Sequence, residues 1–317
     1  MAKIFNLTEI KKALEKVDVT AAIEAGFVAY SRGDVVVPPV GELVFEDPPG
    51  DVHIKYGYIK GDEYFVIKVA SGFYNNLALG LPQADGLMLV FSQKTAQLES
   101  ILLDECHLTN VRTAAAGAVV ARYLAPNTVT RIGVFGAGVQ GRMQVEALLP
   151  ITECRDVIVW GTGAEELEAY REAMAPMGLA IETTQNSDEI AATCNLIVTA
   201  TPSRTPLLSA DQIRPGTHIT AMGSDTREKN ELDPAILAMA DIVVADSIEQ
   251  CLVRGEIFHA LSTGTFSQGE IRELGHVITD PKLRRLSDSQ ITIADLTGVA
   301  VQDIQISKAV VQVLAPG

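Results

Sequence analysis

RIGVFGAGVQGR, residues 131–142, runs from a short apolar, β-branched segment into Gly136, Gly138 and Gly141, and then into Met143, Val145, Leu148 and Leu149 at helical spacing. Strand, glycine turn and helix in that order form a dinucleotide-binding fingerprint. The first glycine permits a tight turn, the second lets the backbone approach a pyrophosphate, and the third lets helix and strand pack closely, so that the helix N-terminus faces the negative charge. G-x-G-x-x-G alone is weak; a legible strand before it and helix after it give it weight over a merely tight strand-helix turn.

The rest of the chain sets limits on what surrounds this loop. At 317 residues and 47% hydrophobic, it is long enough for two domains. A formal net charge of −15 repels nucleic acid and anionic membrane surfaces, which disfavours both as partners. Cys106, Cys154, Cys194 and Cys251 are scattered without C-x-x-C or a histidine pair, so buried thiols are expected rather than disulfides or a metal site. The N-terminal stretch MAKIFNLTEIKKALEKVD lacks the basic-then-apolar pattern of a signal peptide, and no apolar run reaches transmembrane length. A cytoplasmic protein is therefore expected.

Because the glycine loop sits in mid-sequence, a substantial unit precedes it. Residues 4–30 read as two helices, the first with Thr8 as N-cap. Residues 51–59, 64–70, 86–92 and 98–103 then read as short strands separated by Gly, Pro, Asp or Asn turns, an antiparallel meander in an α+β unit. The alanine-rich segment 113–125 is a strong helix former that stops before Pro126. Beyond the loop, strand-like runs at 156–160, 195–199, 218–221 and 242–245 alternate with helical stretches such as 165–174 and 234–240, as a doubly wound parallel sheet requires. The tail from 291 reads as a strand, the turn LTGVAVQD and a final helix over 301–314.

Some charged residues stand where the pattern wants apolar ones. Lys68, in EYFVIKVA, shares a strand face with Tyr64 and Val66; it is either a solvated edge-strand lysine or a carboxylate anchor. Lys55, in VHIKYGY, shares a face with His53 and Gly57, and for it solvent exposure is the stronger reading. Arg112 stands directly before the alanine helix, able to fork onto a carboxylate or to make a structural salt bridge. Asp225, in GSDTREKNELDP, follows a strand of the parallel sheet at the end where ligands bind, and could move protons or simply cap a turn.

Lys68, the stretch LLDECHLTNVRTAAAGAVVARYLAP, the loop GVFGAGVQG, the strand ending IVTATPS and the MGSD segment together resemble the ornithine cyclodeaminase and mu-crystallin family, over about residues 4–314. The resemblance implies an α/β protein in which a Rossmann domain, 114–297, is inserted into an α+β substrate and dimerisation domain, 1–113 plus 298–317. It implies a homodimer. It further implies that Lys68 and Arg112 hold a substrate carboxylate and that Asp225 transfers protons or activates water, making these three the catalytic candidates. For the cofactor it implies the loop residues Gly136, Gly138, Val139, Gln140 and Gly141, then Thr199 and Thr201, Gly223, and Gly298 near the nicotinamide.

Two departures refine this. Ornithine cyclodeaminases carry an acid thirteen positions before the lysine, where the substrate's distal ammonium lies; here that position is Lys55, and the upstream stretch VPPVGELVFED offers no arginine. A cation at that place points to a neutral or anionic distal group, such as the second carboxylate of iminosuccinate. After the second nucleotide-domain strand the chain reads Trp160-Gly161-Thr162-Gly163, with neither the acid typical of NAD sites nor an arginine for NADP. Thr162 could bond a 2′-phosphate while Glu165 and Glu166 oppose one, so NAD or NADP stays open with the balance toward NAD. The expectation is an NAD(P)H-dependent imine reductase or amino-acid dehydrogenase on a small dicarboxylic α-imino or α-keto acid. A cyclodeaminase with catalytic NAD and a non-catalytic cofactor-binding protein are the alternatives.

Overall fold

A computed structural model describes residues 2–315, Tyr74 without its side chain. Contacts divide the chain at 113/114 and at 298/299, so that the N-terminal residues and the last helix form one unit and the central residues another.

The first unit contains β1 (Lys3–Phe5), α1 (Leu7–Leu14), α2 (Val19–Ser31), β2 (Val35–Val36), β3 (Gly41–Glu46), β4 (Pro49–Ile59), β5 (Tyr64–Phe73), β6 (Ala84–Ser92), β7 (Leu98–Leu102) and the start of α3 (His107–Leu124). Its strands lie in the order β1-β7-β6-β5-β4-β2, with β3 also paired to β4; β1 runs parallel to β7 and the other pairs are antiparallel. Helix α1 starts one residue before Thr8, because Asn6 forms a reciprocal capping box with Glu9 and satisfies two N-terminal donors at once. Arg112 is likewise inside α3, not ahead of it: the helix begins at His107, where the Asp104 carboxylate accepts from the Leu108 amide at 2.9 Å.

The central unit contains β8 (Ile132–Phe135), α4 (Val139–Leu148), β9 (Asp156–Trp160), α5 (Ala164–Met174), β10 (Ala180–Thr184), α6 (Ser187–Thr193), β11 (Leu196–Thr199), β12 (His218–Ala221), α7 (Pro234–Met239), β13 (Ile242–Ala245), α8 (Ile248–Cys251), α9 (Gly255–Thr263), β14 (Ile271–Glu273), α10 (Leu274–Thr279) and β15 (Thr292–Asp295). All pairs are parallel, in the order β10-β9-β8-β11-β12-β15-β13-β14. Strands β8, β9, β11, β12, β13 and β15 are short and almost wholly buried, as a sheet covered on both faces demands. The order reverses between β8 and β11, the switch point at which such sheets open a ligand crevice.

Helix α11 (Ala300–Leu314) returns to the first unit and packs on α2, β4 and β5. It starts at Ala300, one residue before the expected 301, and Gln302 and Asp303 occupy its first turn. Gly26 of α2 allows close approach there, since a Cβ would lie 2.9 Å from the Gln305 side chain.

Candidate active site

In the first unit the two suspect lysines meet. The β4-β5 register pairs Lys55 directly with Lys68, both on the face that α11 covers; they are 8% and 3% exposed. The readings of Lys68 as an edge-strand residue and of Lys55 as a solvated one are therefore corrected: β5 lies between β4 and β6, and both ammonium groups are buried. Tyr56 and Tyr58, which alternate with Lys55 on β4, take the exposed face instead.

Arg112 joins the pair, 4% exposed. Its Nη1 donates to Gln302 Oε1, and its Nε lies 2.9 Å from Asp303 Oδ1, which is also 3.6 Å from Lys68 Nζ. Burial pushes the Lys68 ammonium below the ordinary lysine range; Asp303 opposes this and Arg112 adds to it. Burial likewise raises the nearby Asp104 carboxyl, to about 6. Like charges directly across a strand pair are destabilising, and the buried carboxylates of Asp303 and Asp104 lie near Lys68 to offset them. The cluster is suited to binding an anion through the guanidinium donors that Gln302 and Asp303 leave and the ammonium groups beside them. Gln302 and Asp303 were not singled out in the sequence, because nothing local there shows that the start of the last helix meets Arg112.

In the central unit, the glycine loop has the shape its spacing predicts. Gly136 has φ +112. A Cβ on it would sit 2.7 Å from the Ala200 carbonyl, and one on Gly141 would penetrate the Gly136 carbonyl. Gly138 caps α4 without a side chain, and a Cβ there would meet nothing within 4 Å. Gly138 and Val139 are exposed at the start of α4, whose first main-chain donors have no partner within the helix, the cradle a pyrophosphate needs. Two variants separate fold from binding. Gly141→Ala is expected to lower stability by about 1–3 kcal/mol by overpacking. Gly138→Ala, at an extended backbone, should leave the melting temperature unchanged and weaken dinucleotide binding on the order of tenfold, about 1.4 kcal/mol. Calorimetric titration and thermal melts check both.

The other expected cofactor residues are more varied. Thr162 is exposed beyond β9, its carbonyl accepting from Gln185 Nε2 at 2.6 Å. Thr199 and Thr201 are buried, with their hydroxyls already donated to Glu231. Gly223 also donates its amide to Glu231, at 2.8 Å, and Gly298, with φ +82, donates to Asp246 at 2.7 Å. Asp225 is half-exposed and pairs with Lys229 at 2.6 Å; it caps no helix, and Asp233 fills that role for α7.

A row of buried acids lies behind these loops. Glu231, Asp246, Glu256 and Asp295 are each no more than 1% exposed. Burial, then the Glu231 charge, raises Glu256 to about 8 from 4.5. Between those pH values the unfolded chain gives up a proton that the folded chain retains, so this group lowers stability as pH rises from about 4.5 to 8. Glu256→Gln should remove up to about 1.4 kcal/mol per pH unit of that slope, read from denaturant midpoints across the window.

The family model for the ornithine cyclodeaminase/mu-crystallin family matches residues 2–315. The uncharacterized cyclodeaminase y4tK of Sinorhizobium fredii (strain NBRC 101917 / NGR234) is 40% identical over 92% of this chain and 88% of its own. The iminosuccinate reductase of Paracoccus denitrificans (strain Pd 1222) is 34% identical over 92% and 90%. That enzyme's structure in complex with NAD+ gives a TM-score of 0.87 at 31% identity, covering 98% of this chain and 96% of its own. An archaeal alanine dehydrogenase dimer with bound NAD gives 0.89 at 30% identity, covering 99% and 96%. With a whole-chain family match, an inserted parallel-sheet unit and the glycine cradle all in agreement, this chain belongs to the ornithine cyclodeaminase/mu-crystallin family.

Proposed function

We propose that the chain is an NAD(H)-dependent imine reductase or amino-acid dehydrogenase acting on a small dicarboxylic α-imino acid of the iminosuccinate type, formed from the α-keto acid and ammonia. The observation that carries this reading is the direct pairing of two buried lysines, Lys55 and Lys68, beside a buried Arg112. Two ammonium groups on one strand face, with the guanidinium next to Lys68, suit a substrate that carries two carboxylates. A diamino acid would bring its distal ammonium toward Lys55, which disfavours cyclodeamination of ornithine.

The cradle from Gly136 to Gly141 would hold the pyrophosphate of a nicotinamide dinucleotide, whose chemistry when bound would be hydride transfer. Arg112 and Lys68 orient the α-carboxylate, Lys55 takes the distal one, and Asp225 delivers a proton to the nitrogen. Thr162 without a nearby arginine, followed by Glu165 and Glu166, favours NAD over NADP. Two copies are proposed to associate, since Leu43, Val44 and Phe45 on β3 are 54%, 78% and 41% exposed, an apolar strip of the kind that a homodimer buries.

The test is oxidation of NADH and NADPH with oxaloacetate, pyruvate or glyoxylate plus ammonia, and with cyclic imino acids. Fastest turnover with oxaloacetate and ammonia is expected. No oxidation with any of them overturns the reductase reading, and ammonia release from a diamino acid without net cofactor change would establish the cyclodeaminase instead.

A further inference from the structure

We propose that Glu231 is a positioning residue for the nicotinamide half of the dinucleotide, an inference that rests on the cofactor reading above. The loops that follow β8, β11 and β12 are contiguous at the carboxyl end of the parallel sheet. Gly136 lies against the Ala200 carbonyl, and Gly223 lies so close to the backbone of Thr201 that no Cβ fits between them. Glu231, 0% exposed, joins the second of these loops to the third. Its Oε1 accepts from the Thr201 amide and hydroxyl, both at 2.7 Å; its Oε2 accepts from the Thr199 hydroxyl at 2.7 Å and the Gly223 amide at 2.8 Å. Four donors match the four acceptor sites of a carboxylate. Glu231 is itself held, because Glu256, beside the start of α9, accepts from the amides of Glu231 and Leu232 at 2.8 and 3.1 Å.

The four groups that Glu231 accepts from belong to Thr199, Thr201 and Gly223, so of the brace only Thr201 borders the glycine loop, at Gly136, on the far side of that loop from Gly138 in sequence. Loss of the brace should therefore be felt by the part of the dinucleotide beyond the pyrophosphate, along the Thr199–Thr201 and Gly223 backbone, and not by the ADP-ribose half. Glu231→Gln keeps the shape but turns an amide nitrogen toward either the Thr201 or the Gly223 N–H, donor against donor, so one loop must move.

The test is calorimetric titration of the full-length protein and its variants with NADH and, separately, with ADP-ribose. Glu231→Gln is expected to weaken NADH by tenfold or more, about 1.4 kcal/mol, while ADP-ribose stays within about twofold. Thr201→Val removes one of the four donors and should act in the same direction with a smaller factor; it carries the test if Glu231→Gln does not fold. Equal weakening of both compounds means general loosening and overturns the proposal, as does no change in either. A wild-type protein that binds neither compound overturns the cofactor reading along with it, whereas failure of selectivity in the variants alone overturns only the role of Glu231.

Discussion

Arg112→Lys is expected to lower kcat/KM for reduction of the imino acid by about 100-fold, and Arg112→Ala by on the order of 1,000-fold, the range that follows from about 2–5 kcal/mol for truncating one partner of a buried charge pair. Lysine keeps the charge but not the planar guanidinium, so the difference between wild type and Arg112→Lys would measure the guanidinium's part in the proposed recognition of the α-carboxylate. Alanine adds a second effect. Asp303, 1% exposed, loses its nearest cation and keeps only Lys68 at 3.6 Å, so Arg112→Ala should also destabilise the fold by about 3–5 kcal/mol. Melting temperatures beside the kinetics separate these contributions. Full activity in Arg112→Lys would show that the arginine serves the fold and not the substrate.

Lys55→Glu should invert the preference at the distal end of the substrate. It replaces a buried cation, directly opposite Lys68, by an anion, so repulsion falls on the second carboxylate of a dicarboxylic acid. With several kcal/mol for like charges in a desolvated site, kcat/KM for the dicarboxylate is expected to fall by about 1,000-fold or more. A monocarboxylic α-imino acid should suffer far less, and a diamino acid should become a ligand. The carboxylate introduced opposite Lys68 makes a favourable cross-strand pair in its own right, so the fold should tolerate the change. An unchanged order of substrates would remove Lys55 from the specificity site.

The sequence was legible wherever one local rule decided the outcome. The glycine loop, the buried strands β12 and β13 and the helix before Pro126 follow from spacing, β-branched composition and backbone restriction alone. The pairing of Lys55 with Lys68 was also within reach: each lies four residues from its end of the β4-β5 turn, Ile59 and Tyr64, so a symmetric hairpin brings them together. What alternation could not supply was the covering element, because α11, with Gln302 and Asp303 in its first turn, arrives from a distant part of the chain. Strand order was hidden for the same reason: β15, last in sequence, sits between β12 and β13. Glu231 gave no signal, since a lone glutamate in a polar stretch looks solvated until Thr199, Thr201 and Gly223 close around it.

The central claim, hydride delivery to a carboxylate-anchored imine, is tested most directly by isotope transfer. Protein incubated with oxaloacetate, ammonium and NADH doubly deuterated at C4 should yield aspartate carrying one deuterium at Cα, read by mass spectrometry. Aspartate without the label, or no aspartate at all while NADH stays reduced, would contradict it.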